Sequence, residues 1–143
     1  MTVRLAIVTI LVRNLDEALE FYTEKLGFER IAELPTGSGG RSVTVAPRGG
    51  QYVQIALTEP DAQVQGESVA RALRQRVGQS PRWAFFTTNC RETYKSWHGR
   101  GVKFLSSPTI TPYGMQADFE DLYGNVFSLL EPTPQVLALF ERP

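Results

Sequence analysis

The chain is poor in the side chains that much enzyme chemistry and most extracellular folds rely on. Of 143 residues, one is cysteine and one is histidine. Cys90 alone cannot close an internal disulfide and fits a reducing cytoplasm. With His98 alone, a two-histidine, one-carboxylate iron triad cannot be assembled from one chain. Charge of one sign is also missing, because fifteen basic residues meet fifteen acidic ones. That removes the electrostatic footprint of a nucleic-acid binder, and the densest basic cluster, Arg71, Arg74 and Arg76, reads as a solvated helix face. The longest apolar run, Leu5 to Val12 with Thr9 inside it, is far too short to cross a bilayer, and no charged leader precedes it. The expectation is a cytoplasmic protein whose partner is a small molecule, with neither nucleic acid nor membrane involved.

What the chain does contain is enough apolar material, 42%, to bury a core in one domain without disulfide or metal staples. It also says nearly the same thing twice. A shift of 75 positions lays Asn14-Leu15-Asp16-Glu17-Ala18-Leu19-Glu20-Phe21-Tyr22 over Asn89-Cys90-Arg91-Glu92-Thr93-Tyr94-Lys95-Ser96-Trp97. In the first copy the β-branched run Leu5 to Val12 predicts a strand. Asn14 then caps a helix with Glu17 behind it, and Leu15, Ala18, Leu19, Tyr22 and Leu26 form one apolar stripe that Gly27 ends. Strands follow over Phe28 to Glu33, Arg41 to Ala46 and Gln51 to Leu57, separated by turn chemistry at Pro35 to Gly40 and Pro47 to Gly50.

The second copy runs from a strand over Arg82 to Thr88 to a helix capped by Asn89 and ended by Gly99 and Gly101. Its later strands are Val102 to Leu105, Met115 to Glu120 and Val126 to Glu131, with Pro108 to Gly114 and Asp121 to Asn125 as breaks. The fold class is therefore α+β, two βαβββ modules over residues 1–58 and 82–132. A connector over 59–81 carries a short helix from Glu67 to Val77, and a C-terminal segment over 133–143 carries a helix at Pro134 to Phe140 that covers a sheet edge or a dimer partner.

The helix-one string from Asn14 to Ala18 with Phe21-Tyr22, then Leu26-Gly27-Phe28, Gly101-Val102 and Tyr123-Gly124-Asn125-Val126, resembles the vicinal oxygen chelate superfamily of glyoxalases, bleomycin resistance proteins and extradiol dioxygenases. The resemblance covers nearly the whole chain. It implies two βαβββ modules whose strands curl into a cup, and a homodimer. One departure is that Asp121-Leu122-Tyr123-Gly124 stands where the family commonly has Asp-Pro-Asp-Gly. Members with metal chemistry place ligands on the first and last strand of each module. Carried over, those positions are Ile7, Arg82, Ser128, and Ala56 or Gln54. Isoleucine and alanine offer no lone pair, a guanidinium repels a cation and serine is a weak ligand. The expectation is no metal and no cofactor, which makes dioxygenase chemistry improbable and deprives glyoxalase chemistry of its electrophile.

Strand alternation puts Ile7, Thr9 and Leu11 on the cup side and Val8, Ile10 and Val12 toward the helix. By the same parity Arg82, Ala84, Phe86 and Thr88 face the cup, with Tyr52, Gln54 and Ala56, and Val126, Ser128 and Leu130, on the last strands. The ligand-binding candidates are Arg82, Phe86, Gln54, Tyr52, Thr9, Ser128 and the loop residue Tyr113, a lining that suits a flat or amphipathic molecule, an anionic one included. Arg82 could hold a carboxylate in its planar fork, or reach solvent, or pair with a nearby acid. Asp118 and Glu120, two apart, are an acid–base pair, a partner for Arg82, or an ordinary exposed face. Tyr113 is a lid or a turn residue, and Phe21, Tyr22, Tyr94 and Trp97 have the spacing of helix cores rather than of a stacking platform. Two functions stay open. One is a metal-independent binding or sequestering protein of the bleomycin-resistance type. The other is a glyoxalase-like lyase or isomerase using Asp118, Glu120, or an unrecognised metal set drawing on Gln54 and Glu131.

Overall fold

Asparagine side chains start both repeats of the architecture. Asn14 Oδ1 accepts from the Glu17 amide at 2.9 Å and Asn89 Oδ1 from the Glu92 amide at 3.1 Å. Each thereby satisfies one of the amides left unpaired at a helix start. The computed structural model describes residues 2–34, 41–49, 53–61 and 66–140, in two units, Met1–Ser80 and Pro81–Pro143.

The first unit opens with β1 (Ile7–Leu11), followed by α1 (Leu15–Glu20), which continues through a π-helical turn over Phe21–Lys25. The predicted stripe of Leu15, Ala18, Leu19, Tyr22 and Leu26 is buried throughout. The chain then forms β2 (Glu29–Leu34), β3 (Ser42–Ala46) and β4 (Gln54–Thr58). They make one mixed sheet in the order β1-β4-β3-β2, with β1 parallel to β4 and the other pairs antiparallel. After it comes α2 (Glu67–Arg74). The sequence predicts helix as far as Val77, but past Arg74 the amides of Arg76 and Val77 bond three residues back, to Leu73 and Arg74. The coil has tightened there, and Gly78, at φ 85°, ends it.

The second unit repeats the order: β5 (Trp83–Phe86), α3 (Cys90–Gly99), β6 (Lys103–Phe104), β7 (Thr109–Thr111), β8 (Gly114–Glu120), β9 (Val126–Pro132) and α4 (Pro134–Ala138). Its sheet runs β5-β9-β8-β6, with β5 parallel to β9 and β7 also on β8. β7 corrects the sequence reading, which treated Pro108 to Gly114 as a break. The β-branched Thr109-Ile110-Thr111 pairs with Gly114-Met115-Gln116 through a two-residue turn at Pro112-Tyr113, so the prolines bound a short strand and do not abolish it. Helix α4 is capped by Thr133, whose Oγ1 accepts from the Val136 amide.

Alternation behaves as expected. Ile10 and Val12 are buried while Ile7 and Thr9 are exposed, and Trp83 and Phe85 are shielded while Arg82, Ala84, Phe86 and Thr88 are exposed. The second core is aromatic. Phe119 lies within 5.2 to 6.2 Å, ring centre to ring centre, of Trp97, Phe127, Phe104 and Phe85. Phe21, Tyr22, Tyr94 and Trp97 are likewise packed against other rings or the sheet.

A second capping device recurs in both units. Glu59 Oε2 accepts from the Leu15 amide and Glu131 Oε1 from the Cys90 amide, at 2.8 and 2.9 Å. A carboxylate at a helix start also suits the positive end of the helix dipole. Glu131→Ala is expected to lower stability by about 1 to 2 kcal/mol. Urea unfolding should show this, with Glu131→Gln retaining most of it, and equal losses in both variants would remove the acceptor role.

Candidate functional site

The open face of the second sheet is built by residues that alternate outward on three neighbouring strands. β5 and the residue before it contribute Arg82, Ala84 and Phe86, β9 contributes Ser128, and β8 contributes Gln116, Asp118 and Glu120. Register aligns Ala84 with Ser128, and Ser128 with Asp118. Arg82 Nη2 donates to Asp118 Oδ2 at 2.7 Å, so among the roles open to these two residues the structure contains the ion pair. Asp118 Oδ1 accepts from Ser128 Oγ at 2.8 Å and from Gln116 Nε2 at 3.1 Å, and Gln116 Nε2 also reaches Ser128 Oγ at 3.2 Å. Glu120 is paired with Lys103 Nζ at 3.3 Å.

Burial pushes the Asp118 carboxyl toward a higher pKa, but the hydrogen bonds from Gln116, Ser128 and Arg82, with the guanidinium charge, outweigh it. They hold the group below the ordinary carboxylate range. Asp118 is therefore ionised at neutral pH, with no proton to give as a general acid.

At the other end of this face Phe86, 43% exposed, borders a cavity of about 400 Å³ lined also by Thr88, Glu131, Pro132, Pro134 and Leu137. Phe140 packs edge-on against Phe86 at 5.1 Å. Phe86 lies four residues beyond Arg82, about 13 Å at extended-strand spacing. The surface thus runs from a polar network at one end to an apolar hollow at the other.

The remaining candidates belong to other elements or to undescribed residues. Thr9 is exposed on β1, aligned with Ala56, and Gln54 is half-buried on β4, aligned with Ile7. Ala84 opposite Ser128 corresponds in the 75-residue repeat to Thr9 opposite Ala56, so Ala56 and not Gln54 is the counterpart of Ser128. Tyr52 falls outside the described residues. Tyr113 forms the tip of the β7–β8 turn, 60% exposed, its amide bonded to Thr111 Oγ1 and its carbonyl accepting from the Thr133 amide. His98 is exposed near the end of α3, stacked on Tyr94. Cys90 is fully buried, and burial, with Glu131 nearby, pushes its thiol up, away from the nucleophilic thiolate.

The residues at the positions that the resemblance marks for metal ligands do not suit a divalent ion. The first unit offers the hydrocarbon of Ile7 and Ala56. The second offers a guanidinium already held by Asp118 and a Ser128 hydroxyl engaged by Asp118 and Gln116. Glu131, named with Gln54 as a possible ligand, caps α3. Among the described residues no three His, Cys, Asp or Glu side chains are grouped so that they could hold a metal ion, and no helix is long and apolar enough to cross a membrane. Sequence reasoning missed Gln116 and Lys103 in the network and Pro134 and Leu137 in the hollow. Parity could have found Gln116, since it precedes Asp118 and Glu120 by steps of two.

Comparison with known proteins agrees with the architecture. The chain is 30% identical over 128 residues to an uncharacterized protein of Shewanella frigidimarina, covering 87% of this chain and 90% of that one. It is 30% identical over 124 residues to YetH of Bacillus subtilis, covering 87% and 94%. Among solved structures, UcmS2 superposes with a TM-score of 0.78 at 34% identity, covering 90% of this chain and 98% of that one. TnmS3, described as an antibiotic binding protein from Streptomyces sp. CB03234, gives 0.73 at 28% identity, covering 92% and 98%. Residues 4–129 match the family model, and the chain belongs to the Glyoxalase/Bleomycin resistance protein/Dioxygenase superfamily.

Proposed function

We propose that this protein binds and sequesters an amphipathic small molecule on the open face of its second sheet, without a metal ion and without transforming it. The observation that carries this reading is the continuity of the face, from the Arg82–Asp118 network past Ala84 to Phe86 and the hollow of about 400 Å³. A mostly apolar concavity with a few fixed polar groups is the usual form of a small-molecule site. TnmS3, similar over nearly its whole length, is an antibiotic binding protein, which supports a gripping role. Lyase or isomerase chemistry finds less support, because Asp118 is bonded to three donors, Glu120 to Lys103 and Glu131 to a helix start.

A thermal-shift screen of aromatic, antibiotic and thiol-conjugate compounds, run in chelator and again with nickel, zinc, manganese or ferrous iron, tests the proposal. A ligand raises the melting temperature by mass action, and the rise should be the same with and without metal. Phe86→Ala should weaken the best hit by roughly 1.5 to 3 kcal/mol, the scale for an apolar side chain buried by the ligand. A rise seen only with one of the metals, or a Kd indifferent to Phe86→Ala, would sink it.

A further inference from the structure

The charged side chains at the polar end of this face are matched within it. Arg82 pairs with Asp118 at 2.7 Å and Lys103 with Glu120 at 3.3 Å. The two acids stand two residues apart on β8, and the two cations come from opposite sides of it, one before β5 and one from β6. The Asp118 carboxylate is also fixed in place. Ser128 and Gln116 both donate to Oδ1, leaving Oδ2 to Arg82. Its side chain is 25% exposed, against 59% for Arg82.

We infer that the site selects ligands whose polar end carries no net charge over their carboxylate analogues, with Asp118 as the specificity-determining residue. The inference rests on the binding reading above and deepens it. An anionic head group reaching for Arg82 must share the guanidinium with a carboxylate 2.7 Å away that two further hydrogen bonds prevent from retreating. The guanidinium's attraction is then offset by repulsion from Asp118, whose side chain is the more buried of the two. A carbonyl or amide oxygen can accept from the guanidinium's remaining N–H groups without adding charge. Gln116 and Ser128 are positioning residues here, acting on the ligand through Asp118.

The test uses a matched pair of probes, 2-naphthamide and 2-naphthoate, titrated into the full-length protein. Chemical shifts of the Arg82 Nε–H and the Ala84 and Phe86 amides would be followed by NMR, a readout that registers millimolar binding. The wild-type protein is expected to bind the amide at least threefold more tightly than the carboxylate. Asp118→Asn, which removes the charge and keeps the shape, should tighten 2-naphthoate at least tenfold and leave 2-naphthamide within threefold. A wild-type preference for 2-naphthoate overturns the inference and leaves the binding site standing, as does an Asp118→Asn protein with unchanged selectivity. Shifts at neither probe in either protein remove the site and the inference with it. The wild-type comparison is decisive by itself should Asp118→Asn fail to fold.

Discussion

Phe119→Ala is expected to cost about 3 to 5 kcal/mol, the range for deleting a large aromatic from a packed interior. Phe119 is fully buried, and four other rings, those of Phe85, Trp97, Phe104 and Phe127, have their centres between 5.2 and 6.2 Å from its own. They come from β5, α3, β6 and β9, so one side chain ties the helix to the sheet. Collapse around the missing ring would have to move several elements at once, which places the cost toward the upper part of the range. Against a typical total stability of about 5 to 15 kcal/mol, such a loss leaves little reserve. In urea the midpoint should fall by more than about 1 M, with the slope unchanged. Phe119→Leu, which keeps most of the volume, should lose less than half as much. A loss under about 1 kcal/mol for the alanine variant would contradict the central place given to this ring.

Gly114→Ala should be comparably damaging, for a different reason. Gly114 starts β8 opposite Pro132, and its φ of 140° lies where side chains are rarely tolerated. A Cβ there would overlap the Glu131 carbonyl oxygen, and its further neighbours are backbone atoms of Glu131 and Pro132. No side-chain rotation relieves such a clash, so β8 and β9 must part at the end where Glu131 caps α3 and Pro132 lines the hollow. The expected loss is more than about 3 kcal/mol. Gly124→Ala is the control. Its φ is 87°, with nothing within 4 Å of an added Cβ, so it should lose only the about 1 to 2 kcal/mol of left-handed strain. Urea unfolding of both variants checks the order. A Gly114→Ala protein no less stable than Gly124→Ala would show that the two strands do not approach as described.

Much of the fold was legible because it is written in short-range periodicity. Leu15, Ala18, Leu19, Tyr22 and Leu26 are one helix face whatever the rest of the chain does, and Ile7 and Thr9 oppose Ile10 and Val12 by strand parity alone. Both asparagine caps act within three residues. Thr109 to Thr111 was not legible in this way. Two prolines and a glycine crowd around it, and only pairing with β8 makes three residues a strand. The capping role of Glu131 is not legible either, because its partner, the Cys90 amide, is 41 residues away.

The same division runs through the candidate site. Sequence alone determined that the two repeats would carry helices on one side of their sheets, while the register of β1 on β4 and of β5 on β9 decided that Ala56 and not Gln54 is the counterpart of Ser128. Strand parity in the sequence also put Arg82, Phe86 and Ser128 on the side of the sheet away from the helix. Which of Arg82's possible partners it takes was decided by the tertiary structure, through a strand order that brings β5, β9 and β8 together and a register that sets Ser128 beside Asp118. Facing direction is a local property of backbone geometry. Pairing across 36 residues depends on how strands align, and a one-residue slip would have turned Asp118 away from Arg82.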